Sequence, residues 1–217
     1  MDYKAARRIM VDSQVRPNDV TDPDIVSALL NVPREAYVPS SRKSLAYSEL
    51  EIETSEERAL WIPRDFAKMV KVLDPSQNDI ALIVGIGAGY EAAVLGELVE
   101  TVIGIDEDEA LVNATTERLA DQGVDRAVAV QAPLGEGLPD QGPFDVILVN
   151  GMVETVPEVW LDQLADGGRL GVVVQTARGL GRARIYTRAG ETVSFRVAFE
   201  ARPPKFGMFN AVERFAF

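Results

Sequence analysis

The feature that most constrains the fold is a short apolar run that leads into closely spaced glycines and then into a second apolar run. The first run, Ile80–Val84, has the length and branched side chains of a buried parallel strand. Three glycines follow at alternate positions: Gly85, Gly87 and Gly89. Residues 91–98 then predict a helix, and residues 101–105 predict a second buried strand that ends at Asp106. The segment therefore predicts a strand–helix–strand unit with a glycine-rich first turn.

The spacing of these glycines indicates the kind of ligand. Glycines allow the backbone to turn tightly and to approach a ligand where a Cβ would collide. An acid at the end of the second strand is placed to accept hydrogen bonds from ribose hydroxyls, and Asp106 holds that position. The dinucleotide fingerprint would need a small residue where this chain has Tyr90, which disfavours a nicotinamide-dependent oxidoreductase. The observed G-x-G-x-G resembles the first motif of class I S-adenosylmethionine-dependent methyltransferases, and a turn that binds nothing stays an open alternative.

Two absences and the net charge exclude several classes of function. The chain of 217 residues has no cysteine and no histidine, which rules out thiolate catalysis, a Ser-His-Asp triad and His-based or Cys-based metal sites. A net charge of −12 argues against binding to nucleic acid phosphates. No apolar run has the length of a membrane span and the N-terminus lacks the apolar core of a secretory signal. We therefore expect a cytoplasmic protein with no metal, membrane or nucleic acid partner.

The rest of the chain predicts the fold class. Residues 3–15 and the segment after Asp22 have helical periodicity, and residues 34–63 read as irregular. Residues 67–73 predict a further helix. Beyond residue 76 strands alternate with helices: strands are predicted at 127–131, 144–149 and 169–175, and helices at 109–122 and 156–164. Residues 183–199 have the pattern of an antiparallel hairpin. We predict an α/β fold: a Rossmann-like, doubly wound, mostly parallel sheet with an antiparallel C-terminal hairpin, plus an N-terminal helical cap. The predicted division is a cap over 1–75 and a cofactor-binding domain over 76–217, packed as one unit.

Several separate motifs, all in register, resemble one family. The N-terminal matches are RIMVDSQV at 8–15, DPDIV at 22–26, VPREAYVP at 32–39 and AY at 46–47. The glycine motif continues with Tyr90, Ala92 and Ala93, and the later matches are PFDVILV at 143–149, VP at 156–157 and LDQLADGGRL at 161–170. In these motifs the chain resembles protein-L-isoaspartate O-methyltransferases over most of its length. The resemblance implies a class I methyltransferase fold that uses S-adenosylmethionine to esterify the carboxylate of isoaspartyl residues in damaged proteins.

The chain departs from the family pattern at the positions where the resemblance places the chemistry. Pro63 keeps the register of a family segment whose serine falls on Trp61 here, so an indole N–H stands in place of a hydroxyl. The acid that ends the family's first strand is Ile83, and the Gly-Asp of the third strand is replaced around Ala132-Pro133. Asp106 remains as the ribose acid. Loss of the hydroxyl need not abolish carboxylate methylation, because the nucleophile is already ionised at neutral pH and needs no general base.

The resemblance assigns two groups of site residues. The cofactor, S-adenosylmethionine with S-adenosylhomocysteine as product, would be held by Gly85, Ile86, Gly87, Gly89, Tyr90, Asp106, Ala132 and Pro133. The acceptor, a carboxylate of a protein or peptide, would be bordered by Trp61, Arg64 and Asn150, and the Arg64 guanidinium has the geometry to hold a carboxylate by paired hydrogen bonds. The alternative is a catalytically silent member of the family that acts as a binding module, which the lost serine and the lost acids favour.

Overall fold

A seven-stranded mixed sheet forms the centre of the computed structural model, which describes residues 1–55, 58–176 and 180–209. The strands in chain order are β1 (Ile52–Ser55), β2 (Arg58–Leu60), β3 (Ile80–Val84), β4 (Thr101–Asp106), β5 (Ala127–Gln131), β6 (Phe144–Val153), β7 (Leu164–Gln175), β8 (Gly181–Ala189) and β9 (Thr192–Ala201). The large sheet has the order β5-β4-β3-β6-β7-β8-β9, in which β3 to β7 are parallel and β8 and β9 form an antiparallel hairpin. The predicted fold class is confirmed.

The helices cover the sheet and form the N-terminal cap. In chain order they are α1 (Tyr3–Met10), α2 (Pro23–Asn31), α3 (Pro63–Leu73), α4 (Tyr90–Gly96), α5 (Glu109–Asp121) and α6 (Glu158–Asp162). A π-helical segment, Val11–Val15, continues α1, so the predicted helix over 3–15 is confirmed in extent. Asp22 caps α2 through the backbone N–H groups of Asp24 and Ile25. Residues of the cap and of the sheet share one hydrophobic cluster, and the division at residue 75 stays a prediction.

The prediction of irregular structure over 34–63 was wrong at its C-terminal end. Strands β1 and β2 pair antiparallel in a separate two-stranded sheet, and α3 begins at Pro63, earlier than the periodicity indicated. The strands are only four and three residues long and contain charged side chains, so they lack a readable alternation of apolar and polar residues. Further along the chain, β7 starts at Leu164, before the predicted 169, and α6 is correspondingly shorter than predicted.

The strand–helix–strand unit is packed tightly at one glycine of β4. Gly104 pairs with Ile83 of β3, and a Cβ built on it would lie 2.3 Å from Cδ1 and 2.8 Å from Cβ of Ile86. Ile86 is fully buried, and it sits in the loop that begins at Gly85. The absence of a side chain at Gly104 therefore allows the loop to lie close to the sheet, because a larger residue would push Ile86 outward.

We expect Gly104→Ala to lower the free energy of unfolding by about 1–3 kcal/mol, the range for overpacking a filled core. The measurement is urea unfolding followed by circular dichroism. Gly96→Ala is the matched control, because a Cβ there would lie 3.7 Å from Cβ of Arg126, an ordinary van der Waals contact. A variant at position 104 as stable as wild type would show that the loop yields without cost.

Candidate functional site

The glycine loop follows β3 at the carboxyl edge of the sheet. Gly85, Gly87 and Gly89 have φ angles of +81°, +54° and +90°, a left-handed conformation that other residues adopt only under strain. The backbone N–H groups of Gly85 and Ile86 both donate to the Ile105 carbonyl at 2.9 Å, which ties the loop to β4. The strand order reverses beside β3, between β4 on one side and β6 on the other. Open α/β sheets bind their ligands at such a point, outside the carboxyl ends of the strands.

Each glycine of the loop faces a side chain from elsewhere in the chain. A Cβ on Gly85 would lie 2.4 Å from Cζ of Phe206, and one on Gly87 would lie 3.8 Å from Cβ of Arg58. Gly89 faces Thr115 of α5, whose hydroxyl donates to the Gly87 carbonyl at 2.6 Å. The contacts of Gly89 are thus part of the packing against α5. Those of Gly85 and Gly87 lie on the side of the loop where we predict the ligand.

Asp106 ends β4 and is paired with Arg58. The carboxylate is buried, with 1% of its side chain exposed, and it accepts two hydrogen bonds from the Arg58 guanidinium, from Nε at 2.9 Å and from Nη2 at 2.8 Å. The backbone N–H groups of Glu107 and Gly87 donate to the same carboxylate, at 3.0 and 3.4 Å. The bidentate pair is the strongest ion-pair geometry available to these side chains. Arg58 also lies 4.8 Å from the ring centroid of Phe206.

Asn150 meets the glycine loop from β6. The strand runs on to Val153, past the predicted end at 149, and its pairing with β7 shifts register between Leu148 and Met152. Asn150 therefore lies inside an irregular stretch of β6. Its amide donates to the Gly85 carbonyl at 3.0 Å and to the Glu91 carboxylate at 3.5 Å. The predicted residue is thus in contact with the loop.

A buried acid of α4, Glu91, lies behind the loop. Burial raises the pKa of Glu91 to about 7, against the opposing effects of the Arg34 charge and of hydrogen bonds that include those from Asn150 and the backbone of Trp61. Within the part of the chain that the structure describes, one oxygen of the Glu91 carboxylate has no hydrogen-bond partner. The folded protein therefore favours the protonated form, and it does so across the interval between pH 4.5, the ordinary value, and pH 7.

We expect Glu91→Gln to remove a pH dependence of stability. Because the pKa is raised on folding, the stabilisation is fully present below pH 4.5 and is lost as the pH rises through 7. The variant stays neutral, so at pH 8 it should exceed wild type by up to about 3 kcal/mol and at pH 4.5 it should differ little. Urea unfolding at both values measures this, with the exposed Glu117→Gln as control. Parallel pH profiles for wild type and Glu91→Gln would contradict the assignment.

Arg34, which sequence reasoning did not single out, organises the interior beneath Trp61. It is fully buried, and its guanidinium donates to the carbonyls of Ala46 and Trp61 at 2.8 and 2.5 Å. The same group lies 4.8 Å from the ring centroid of Tyr90. Trp61 is 1% exposed, and its indole N–H has no hydrogen-bond partner among the described residues. The predicted site residues Trp61 and Tyr90 are therefore neighbours of one buried arginine.

The remaining predicted residues lie in two other places. Arg64, at the start of α3, pairs with Glu49 at 2.6 Å and with Asp65 at 3.0 Å. Ala132 and Pro133 follow β5, and together with Glu107 and Gln131 they line a cavity of about 340 Å³. The backbone N–H of Ala132 donates to the Asp106 carbonyl at 3.0 Å, so this cavity adjoins the end of β4. The structure thus brings Ala132 and Asp106 together, and Arg64 is engaged by two acids.

We call the space at Gly85, Gly87 and Asp106 the cleft. Sequence reasoning did not identify Arg58 and Phe206, whose side chains lie in it. Arg58 stands on the short hairpin strand β2, and Phe206 follows β9 in a segment that runs along the end of β6. No motif marks either residue. Among the described residues no group of three acidic side chains could hold a metal ion. No described helix has the length and apolar content that a bilayer crossing requires.

Comparison with known proteins gives one family for nearly the whole chain. The family model for protein-L-isoaspartate(D-aspartate) O-methyltransferase matches residues 6–200. The chain is 34% identical over 195 residues to a protein-L-isoaspartate O-methyltransferase of Roseiflexus castenholzii, covering 89% of this chain and 88% of the relative. It is 32% identical over 185 residues to protein-L-isoaspartate O-methyltransferase 2 of Pelobacter propionicus, covering 85% and 82%.

Solved structures show the same fold. A protein-L-isoaspartate O-methyltransferase superposes with a TM-score of 0.80 and 22% identity, over 94% of this chain and 66% of the other. A crystal structure from Plasmodium falciparum, described as a beta-aspartate methyltransferase and holding S-adenosyl-L-homocysteine, superposes with a TM-score of 0.79 and 19% identity, over 94% and 98%. At this identity the superpositions establish the fold.

Proposed function

Because the chain belongs to the protein-L-isoaspartate(D-aspartate) O-methyltransferase family, we propose that it transfers a methyl group from S-adenosylmethionine to the carboxylate of an isoaspartyl residue in a protein or peptide. The observation that carries the proposal is the family match over residues 6–200, which includes the glycine loop and Asp106 at the switch point of the sheet. The absence of cysteine suits the cytoplasmic location that we also propose.

The chemistry asks little of the protein beyond positioning. The cofactor supplies an electrophilic methyl group when it is bound. The acceptor carboxylate is ionised at neutral pH, so no side chain has to remove a proton. Alignment of the reacting groups and exclusion of water then provide the acceleration. A chain without histidine and without the family's serine is therefore able to carry out this reaction.

We propose the following roles for the predicted residues. The loop glycines admit the cofactor to the backbone, Asp106 accepts hydrogen bonds from the ribose, and the cavity beside Ala132 and Pro133 takes the base. Asn150, in contact with the Gly85 carbonyl, borders the acceptor side together with Trp61 and Arg64. A groove of about 700 Å³ lies beside the β1–β2 hairpin, and its charged lining consists of Arg42, Arg58 and Lys205 together with Glu51 and Glu53.

The residue types at the loop fit an S-adenosyl group, but side chains of this protein fill the space that the group would occupy. Phe206 lies against Gly85, and both oxygens of Asp106 are bound by Arg58. This occupancy, together with Trp61 at the serine position, also favours a second candidate: a family member that binds a protein partner without turnover. The two candidates differ in whether the cofactor binds.

Two measurements on the purified protein test the proposal. Calorimetric titration with S-adenosylhomocysteine asks whether the cofactor site is functional, and we expect micromolar affinity. Transfer of labelled methyl groups to an isoaspartyl peptide, compared with the same peptide containing aspartate, tests the acceptor. Base-labile label on the isoaspartyl peptide alone supports the proposal. If S-adenosylhomocysteine binds but no methyl group is transferred, the acceptor assignment is wrong. If neither wild type nor the variants Phe206→Ala and Arg58→Gln bind it at millimolar concentration, the silent family member is favoured.

A further inference from the structure

We propose that the side chains of Arg58 and Phe206 form a plug that closes the cofactor cleft, and that S-adenosyl ligands bind only when both side chains have left it. The inference rests on the proposed function, since it concerns the same site. It extends that function by assigning the chain a closed state, held by its own residues, with which the cofactor must compete.

Phe206 occupies the approach to the glycine backbone. The side chain is 1% exposed, and its ring lies 2.4 Å from the position of a Cβ on Gly85 and 2.8 Å from that of a Cβ on Gly151. Glycines at such positions permit an occupant to come close to the main chain. A ligand that contacts the Gly85 backbone needs the volume in which the ring lies. The ring and the ligand therefore exclude each other.

Arg58 likewise blocks the carboxylate of Asp106. Its bidentate hydrogen bonds take both carboxylate oxygens of Asp106, and its side chain passes over Gly87. A pair of ribose hydroxyls would need those same oxygens. The guanidinium also lies 4.8 Å from the Phe206 ring centroid, within the range of a cation–π contact. The two plug residues thus support each other while they cover Gly85, Gly87 and Asp106.

The plug comes from segments at the margin of the fold, and open volume adjoins it. Arg58 belongs to the two-stranded β1–β2 sheet, which is separate from the central sheet. The segment carrying Phe206 is tied to β6 by two backbone hydrogen bonds with Met152, at 2.7 and 2.9 Å, and by an ion pair between Lys205 and Glu154. The backbone N–H groups of Glu154 and Thr155, just beyond β6, also donate to the Phe209 carbonyl at 3.1 and 3.2 Å. Arg58 and Lys205 line the groove of about 700 Å³, which gives the plug space to move into. Both segments can be displaced without breaking the central sheet.

Removal of the plug should tighten binding. The apparent dissociation constant equals the intrinsic constant divided by the open fraction, so a variant that raises the open fraction binds proportionally better. We expect Phe206→Ala and Arg58→Gln each to bind S-adenosylhomocysteine roughly tenfold more tightly than wild type in calorimetric titration. Phe195→Ala on β9 and Arg16→Gln, whose partner is Asp12, are the controls and should bind as wild type does.

A measurement on wild type needs no altered side chain. Hydrogen exchange of the peptide covering 202–209 and of the Met152 amide should become faster when S-adenosylhomocysteine is added, because the hydrogen bonds between Met152 and this segment open with the plug. The plug would be overturned if both plug variants bound S-adenosylhomocysteine no more tightly than wild type, or if exchange in this peptide became slower. Binding by wild type would in that case still support the proposed function. Failure of every variant to bind would overturn both.

Discussion

Replacing the buried arginine by methionine, Arg34→Met, is expected to cost about 3–5 kcal/mol of unfolding free energy, the loss seen when one partner of a buried charged network is removed. The guanidinium satisfies the carbonyls of Ala46 and Trp61 and faces the Tyr90 ring, and methionine supplies none of these contacts. The buried carboxyl of Glu91 also loses the charge that holds its pKa down. Thermal unfolding should shift by roughly 10 °C, given about 2–4 °C for each kcal/mol in a chain of this size.

The pH dependence separates this mechanism from a simple loss of packing. Without Arg34 the pKa of Glu91 rises above its wild-type value of about 7. The decline in stability that begins near pH 4.5 then continues beyond pH 7, where it has ended in wild type, so its total is larger. The deficit of Arg34→Met should therefore be larger at pH 8 than at pH 5.5, and adding Glu91→Gln should recover part of it at pH 8. Arg16→Met, whose pair with Asp12 is exposed, should change stability by less than about 0.5 kcal/mol. A deficit below 1 kcal/mol for Arg34→Met would contradict the assignment.

The sequence predicted the part of the fold that depends on local pattern. Strands β3 and β5 were predicted with the bounds that the structure has, because a short apolar run between turns is typical of a buried strand. The glycine loop and Asp106 were placed correctly at the carboxyl edge for the same reason. The hairpin β1–β2 was missed, because its strands are short and charged and take their structure from the surface on which they lie.

The occupants of the cleft escaped prediction because their contacts are distant in sequence. Arg58 meets Asp106 across 48 residues, and nothing in the segment around Arg58 signals that partner. Phe206 follows the last strand of the sheet and reaches back to the loop after β3. Arg34 appeared only as part of a family motif, and its burial beneath Trp61 depends on three segments that come together in the fold. Motifs therefore predicted where the site lies, and tertiary contacts determine which side chains occupy it.

The largest expected effect on ligand binding is at Asp106, and the plug determines how it must be measured. Asp106→Asn alone has two opposite consequences: the ribose loses its charged acceptor, and the closing pair with Arg58 is broken. In the Arg58→Gln background the second consequence is already present. There, we expect Asp106→Asn to weaken S-adenosylhomocysteine binding by roughly 10–100-fold, the value of one or more hydrogen bonds to a charged group.

A neighbouring acid provides the control for this measurement. Asp108→Asn in the same background alters a carboxylate two residues away, one that caps α5 through the N–H groups of Ala110 and Leu111. It should leave the affinity within about twofold, since asparagine caps a helix about as well as aspartate does. If Asp106→Asn and Asp108→Asn bind alike in the Arg58→Gln background, Asp106 serves only to hold Arg58. A cofactor would then have to find its ribose contact elsewhere along the carboxyl edge of the sheet.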